Sequence, residues 1–310
     1  MTHLTLQRAF CGKFKLTVLK ADGSVKQETE WFDNLITNMG LDQIANSQGS
    51  NGITEDNFIG MAAYTGTGNT APAYTDTTMT SVLGTVYSNG TPFVNGTYVP
   101  GSSPYWSWIA TYNFPTGSTT GNIAEVGIGD QIGALPMATQ YLFSHALVMV
   151  GGSPGTITVL SSEALTLTYE LREYINVVTQ TGNVTISGTV YSLSWLPYNI
   201  GTPVNGKSIV GEHVNQLVAY NGSLGSVTGI PSGSSGGSTG AITNAGYTIG
   251  NYYLDITWNF ALSDGNLTGG ITAITMSTNW HKYQIGFTPA IPKDNTKTLQ
   301  LTIRCGWGRY

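Results

Sequence analysis

Apolar and polar residues alternate with a period of two along much of this 310-residue chain. Phe14, Leu16 and Val18 alternate with Lys13, Lys15 and Thr17. That is the pattern of a half-buried strand, whose successive side chains leave on opposite faces. Asp22-Gly23 supplies a hairpin turn, because glycine enters positive φ without steric cost, and a return strand is expected through about Glu30. A short helix is predicted next, capped by Asp33 or Asn34, with Leu35, Ile36, Met39 and Ile44 near one face. Gly40 weakens it and limits it to about three turns.

Further strands are predicted at 105–112, 123–128, 141–150 and 156–160. Two later ones share a phase. Leu165, Leu167, Tyr169 and Leu171 line one face, and Leu299, Leu301, Ile303, Cys305 and Trp307 repeat the pattern near the end. Each follows a polar loop and an earlier strand, 146–150 or 283–287, so each is expected to close a hairpin. Segments 65–72 and 98–104 have loop composition, and the Gly/Ser-rich 229–240 is expected to be flexible coil. No repeat of about 20–50 residues occurs, which argues against a β-solenoid. The expected fold is all-β: two β-sandwich (jelly-roll-like) domains, 1–175 and 176–310, with one short helix after the first hairpin.

Composition agrees with the class and narrows the function. There are 40 Gly and 17 Tyr, and only 9% of residues are charged, against about 25% in an average soluble protein. Residues 27–171 contain no Lys or Arg but eleven acids. Such a surface repels phosphate, so nucleic-acid binding is not expected. Low charge also removes the usual defence against self-association, which suits an assembly subunit. No signal peptide is visible at the start, and no apolar run reaches the roughly 18 residues of a membrane span. Cys11 and Cys305 are expected to be free thiols in a protein made in a reducing cytoplasm.

Candidate chemistry is sparse. His3, His145, His213 and His281 are far apart, with no ligand-spaced pair. Ser144-His145 lacks a nucleophile elbow, so His145 is read as a packed or hydrogen-bonded strand residue. The glycine-rich 127–133 is read as a turn, because Pro136 denies the helix that a dinucleotide site needs. Asp264-Gly265-Asn266 has some of the oxygen ligands of a calcium loop but is better explained as a β-turn. Glu163, Glu170 and Glu173 are the acids from which a glycosidase pair would be built. Glu170 and Arg172 are instead expected to pair on one strand face. No cofactor or metal is expected. Tyr98, Trp106, Trp108 and Tyr112 are the candidate aromatics. Trp106 and Trp108 share a sheet face and would stack on a sugar ring, although core packing or a subunit interface is the more ordinary use of such rings.

Three stretches carry a family resemblance. Segments 32–44 (FDNLITNMGLDQI) and 157–172 (ITVLSSEALTLTYELR) resemble two recurring stretches of virion structural proteins of tailed bacteriophages. The closing stretch, 287–301 (FTPAIPKDNTKTLQL) continuing through Ile303, Cys305, Trp307 and Arg309, is similar to their C-termini. The resemblance implies a non-enzymatic tail or tail-fibre-type protein, made in the host bacterial cytoplasm and located in the virion. Its implied partners are copies of itself and other virion proteins. The alternatives are a receptor- or glycan-binding fibre module contacting host surface glycan, and a capsid decoration or head-fibre protein.

Overall fold

Strict alternation at the start of the chain builds one long strand, Leu4–Leu19, with every even-numbered side chain buried. A computed structural model describes residues 4–46, 62–87, 96–130, 141–200, 214–237, 242–244, 247–278 and 282–310. Within them the protein is mostly β, with several sheets, one helix and no barrel. The first strand lies inside a nine-stranded sheet. On one edge it pairs antiparallel with Ala164–Tyr174, from Ala9 opposite Tyr174 to Leu19 opposite Ala164. On the other its first half pairs in parallel with Leu299–Arg309. Its second half on that edge takes Val25–Glu28 and Phe32–Asp33. Tyr105–Phe114 and Thr97–Val99 extend the sheet beyond Ala164–Tyr174, and Tyr253–Phe260 and Ile242–Asn244 extend it beyond Leu299–Arg309.

Two smaller antiparallel sheets pack on the buried face. Five strands, Leu35–Ile36, Tyr141–Leu147, Glu125–Asp130, Ala62–Gly66 and Val82–Tyr87, form one. Six form the other: Gln180–Ile186, Thr189–Pro197, Lys282–Ile291, Ile271–Thr278, Val214–Tyr220 and Ser235–Gly237. Phe10, Phe14, Leu16 and Val18 join Val126, Ile128 and Phe143 in one apolar core. Leu4 and Leu6 join Trp258, Ile274 and Ile285 in the other. One strand therefore threads both cores, and the large sheet continues across residue 176. Gly12 marks a close approach in the first core. A Cβ there would stand 2.5 Å from the Tyr169 hydroxyl, so only glycine lets that ring lie beside Phe14, centroid to centroid 5.0 Å.

Arg8 lies between the two cores on the same buried face. Its guanidinium is 3.2 Å from Glu173, and both side chains are 4% exposed. Removing two charges from water costs several kcal/mol each, so the pair is near neutral for stability while either charge alone is expensive.

Several expectations are corrected. The helix spans Asn38–Asn46, and Thr37 caps it, its hydroxyl accepting from the Gly40 N–H at 2.8 Å. Asp33 is a strand residue paired with Lys13, and Ile36 pairs with Ser144, because tertiary pairing outweighed the local capping signal. Gly40 is required rather than merely tolerated: a Cβ there would meet the Phe143 carbonyl oxygen at 2.2 Å. The two phase-matched strands close no hairpins. Ala164–Tyr174 and Leu299–Arg309 instead flank the first strand on its two edges. Segment 229–237 is not free coil: Ser235–Gly237 pairs with Val218–Tyr220, and Asn221 accepts from the Ser234 N–H at 2.8 Å. Residues 238–240 lie outside the described residues.

Cys11 and Cys305 are not joined by a disulfide. Cys305 pairs with Leu6 on the buried face. Cys11 is at an odd position of the same strand, on the opposite face and roughly 16 Å further along, out of reach of a disulfide.

Removing one member of the central ion pair, by Arg8→Met or Glu173→Gln, is expected to cost about 3–5 kcal/mol in urea unfolding. The double variant Arg8→Met/Glu173→Leu is expected to recover most of that loss. Single variants within about 1 kcal/mol of the parent would refute a buried, mutually dependent pair.

Candidate functional site

Where the first strand passes from one core to the other, its outer face opens into a cleft of about 450 Å³. The volume falls within the range of small-ligand sites, about 300–1,000 Å³. Gln7–Ala9, 102–104, 174–178 and 308–310 line it. The cleft follows from the topology. Ala164–Tyr174 pairs with the first strand only as far as Ala9, and the chain then turns away at Ile175, whose N–H bonds the Pro104 carbonyl at 3.0 Å. Ala9 and Gly308 are partners across the parallel ladder and line the cleft with minimal side chains. A Cβ on Gly308 would meet only Gln7 Nε2, at 3.7 Å, an ordinary van der Waals contact, so a methyl group fits there without a clash.

Two tyrosines dominate the wall. Tyr174 and Tyr310 stack face to face, centroids 3.5 Å apart and planes 9° from parallel. Tyr105 lies 5.3 Å from Tyr174, and the Arg172 guanidinium sits 4.7 Å above the Tyr105 ring. Burial pushes the Tyr174 hydroxyl above its ordinary pKa, against the opposing pull of Arg172, so it stays protonated. The polar groups lining the cleft are neutral: the Gln7 and Asn176 amides and the Ser102 and Ser103 hydroxyls. Neither lining arginine offers it a charge. Arg8 turns to Glu173, and Arg309 donates to the Ile36 carbonyl and to Asn38 at 2.7 Å.

The aromatics expected from sequence are elsewhere. Trp106 and Trp108 do share a face, with centroids 6.4 Å apart, and Tyr98 stands 5.7 Å from Trp106. That face is the core side of the sheet. Tyr112 is 2% exposed and Trp106 is buried, so neither presents a ring to a ligand; Tyr98 and Trp108 are half-buried. Trp108 packs over Gly96, where a Cβ would meet its Nε1 at 2.5 Å. Tyr174 carried a usable signal, an aromatic in phase with Glu170 and Arg172 on the polar face of its strand. Tyr310 carried none, because only the parallel pairing brings it beside Tyr174.

The other candidates are engaged structurally. Glu170 and Glu173 leave their strand on opposite faces. Glu170 accepts from Ser107 at 2.6 Å and from Arg172 at 2.7 Å, and Glu163 holds Lys26 at 2.8 Å. The Asp264-Gly265-Asn266 turn encloses the protein's own cation: the Lys293 ammonium donates to Asn266 Oδ1 at 2.8 Å, to the Asp294 carbonyl at 3.0 Å and to the Leu262 carbonyl at 3.4 Å. Among the described residues no cluster of His, Cys, Asp and Glu is placed to hold a metal ion, and no helix is long and apolar enough to cross a membrane. His3, His213 and His281 lie outside the described residues, as do 131–133 and Pro136.

His145 is the most constrained titratable group. Its Nδ1 is 2.8 Å from Asp76 and its Nε2 3.0 Å from Glu125. Glu125 also accepts from the Gly68 and Ser81 N–H groups, each at 3.2 Å. These bonds pin loop 67–81 across the side of the five-stranded sheet away from the core. Gln284 does the same on the six-stranded sheet, gripping Gly225 and Ser226 of the loop after Val214–Tyr220. A carboxylate only accepts, so a ring bonded to two of them must donate from both nitrogens and carry a proton on each. Burial works against that charge, but the bonds to Glu125 and Asp76 outweigh it and hold the histidine pKa above its ordinary range. For Glu125 burial also disfavours the charge and so raises the pKa, but the bonds from His145 and the Ser81 amide bring it below the usual value.

The raised histidine pKa fixes the sign of the linkage. Its stabilisation is complete below the unfolded value, about 6.5, and is lost as pH rises through the folded pKa. The Glu125 contribution is present above about 4.3 and is lost as pH falls through its depressed pKa. Hydrogen exchange of 67–81, corrected for intrinsic rate, is therefore expected to be slowest in mildly acidic solution and to accelerate toward alkaline pH. His145→Gln should remove that dependence; an equally pH-sensitive loop in the variant would refute the clamp. Compared with known proteins, the chain matches no protein-family model, no curated protein and no solved structure.

Proposed function

We propose that this protein is a structural subunit of a tailed-phage virion, assembling symmetrically with its own copies in the tail or a tail appendage. In this reading the chain is two β-sandwich, jelly-roll-like units, 1–175 and 176–310, stitched together by the first strand. The observation that carries it is the chemistry of the six-stranded sheet. Among the described residues Lys282 is the only charged one on its strands, and no Asp, Glu, Lys or Arg occurs in 174–206 or in 214–254. A surface of Thr, Ser, Asn and Tyr costs less to desolvate than a charged one and offers many hydrogen-bonding groups that a partner can satisfy, which suits repeated contact between identical subunits. Val178, Val190, Ile230 and Ile249 are all more than half exposed on this half of the molecule and supply apolar contact. The three phage-like stretches support the same reading, since they fall on the helix region, on Ala164–Tyr174 and on Leu299–Arg309, the segments around the first strand. The reading is non-enzymatic and calls for no cofactor, nucleic acid or membrane.

Light scattering coupled to size-exclusion chromatography tests it. A discrete oligomer of three, six or twelve copies is expected, and replacing exposed Val190 and Ile249 with Lys should lower the copy number without unfolding the chain. A parent protein that stays monomeric up to millimolar concentration would refute self-assembly.

A further inference from the structure

We infer that the cleft at the junction of the two cores is a binding site for a neutral saccharide, with Tyr310 and Tyr174 as its stacking wall. The lining selects the ligand class. An anionic ligand would find no cation directed at it, because Arg8 faces Glu173 and Arg309 is held by Ile36 and Asn38. Among the described residues no acid lines the cleft to receive a cation. A wholly apolar ligand would strip water from Gln7, Asn176, Ser102 and Ser103 without replacing its hydrogen bonds. A ring with an apolar C–H face and a rim of hydroxyls satisfies both halves of the lining. The face packs on tyrosine, and the rim meets amides and hydroxyls that both donate and accept.

The site is built for that use in two further respects. Asn176 accepts from the Val178 N–H at 3.0 Å through its side-chain oxygen, which fixes the amide plane and leaves its NH₂ group to donate. Tyr174 supports Tyr310 from behind along its full face. The exposed ring is thereby held in one orientation before any ligand arrives, which lowers the ordering cost of binding. This placement differs from the Tyr98, Trp106, Trp108 and Tyr112 set, whose rings belong to the core side of the sheet. The inference does not rest on the assembly reading.

The test is a panel of neutral hexose and N-acetylhexosamine oligosaccharides screened against the full chain, with any ligand found then titrated by calorimetry. Tyr310→Ala removes an exposed ring, and Gly308→Val places a branched side chain on the cleft wall from a position where a Cβ makes only van der Waals contact with Gln7. Both variants are expected to weaken binding at least tenfold, while Tyr98→Ala leaves it unchanged. The inference is overturned if no neutral saccharide binds the folded protein at millimolar concentration, if Tyr310→Ala and Gly308→Val bind like the parent, or if only Tyr98→Ala loses binding. The same variants examined by light scattering separate the two proposals. Loss of assembly in Tyr310→Ala and Gly308→Val would make the cleft a subunit contact and overturn the saccharide site, leaving assembly intact. A monomeric parent that still binds saccharide through Tyr310 would do the reverse.

Discussion

Arg8 projects from the buried face of the first strand at the point where one apolar core gives way to the other, and Glu173 meets it from the neighbouring strand. The stabilisation of the fold comes from the residues on either side. Leu6, Phe10, Phe14, Leu16 and Val18 are all essentially inaccessible, and full burial of such a side chain contributes about 1.5–3 kcal/mol. The ion pair adds little net energy, but it makes one register far better than its neighbours. A one-residue slip would turn every buried side chain of the first strand to the outer face and leave both charges without their partner. The strand is thus held along both edges and fixed in position at its middle. That is what lets strands from the two ends of the chain lie side by side.

That arrangement also produces the cleft. A strand paired along its whole length on both edges would leave no gap, but Ala164–Tyr174 stops at Ala9 because the chain must cross to the six-stranded sheet. The opening is an outcome of topology, and Ala9 and Gly308 line it with minimal side chains. The buried polar groups elsewhere do related work. His145 with its two carboxylates, Gln284 with its backbone partners and Lys293 among its oxygens each hold a loop against a sheet or a turn. Irregular segments have no ladder of their own, and these polar side chains supply the hydrogen bonds that fix them.

How much of this was legible beforehand depended on how local the deciding physics was. Alternation at 13–18, 165–171 and 299–307 gave the strands and the sides they bury, because periodicity is a property of a few adjacent residues. The Asp22-Gly23 turn was readable for the same reason, and Gly23 has a φ of 82°. The helix was placed too early because Asn34, Leu35 and Ile36 satisfy a capping pattern locally. The pairing of Leu35–Ile36 with Tyr141–Leu147 overrode it. The aromatic set at 98–112 was correctly phased, yet phase alone does not say which face another sheet will cover.

By itself, then, the sequence determined an all-β protein with one short helix, where most strands run, and a stretch of 27–171 without a single Lys or Arg. Those follow from side-chain spacing and charge, which need no partner. Only the tertiary structure decided that the first strand serves two cores, that Glu173 meets Arg8 between them, and that Lys293 fills the turn at Asp264. It alone brought Tyr310 onto Tyr174. Each of these depends on contacts between residues tens to hundreds of positions apart, whose pairing is set by burial and strand register.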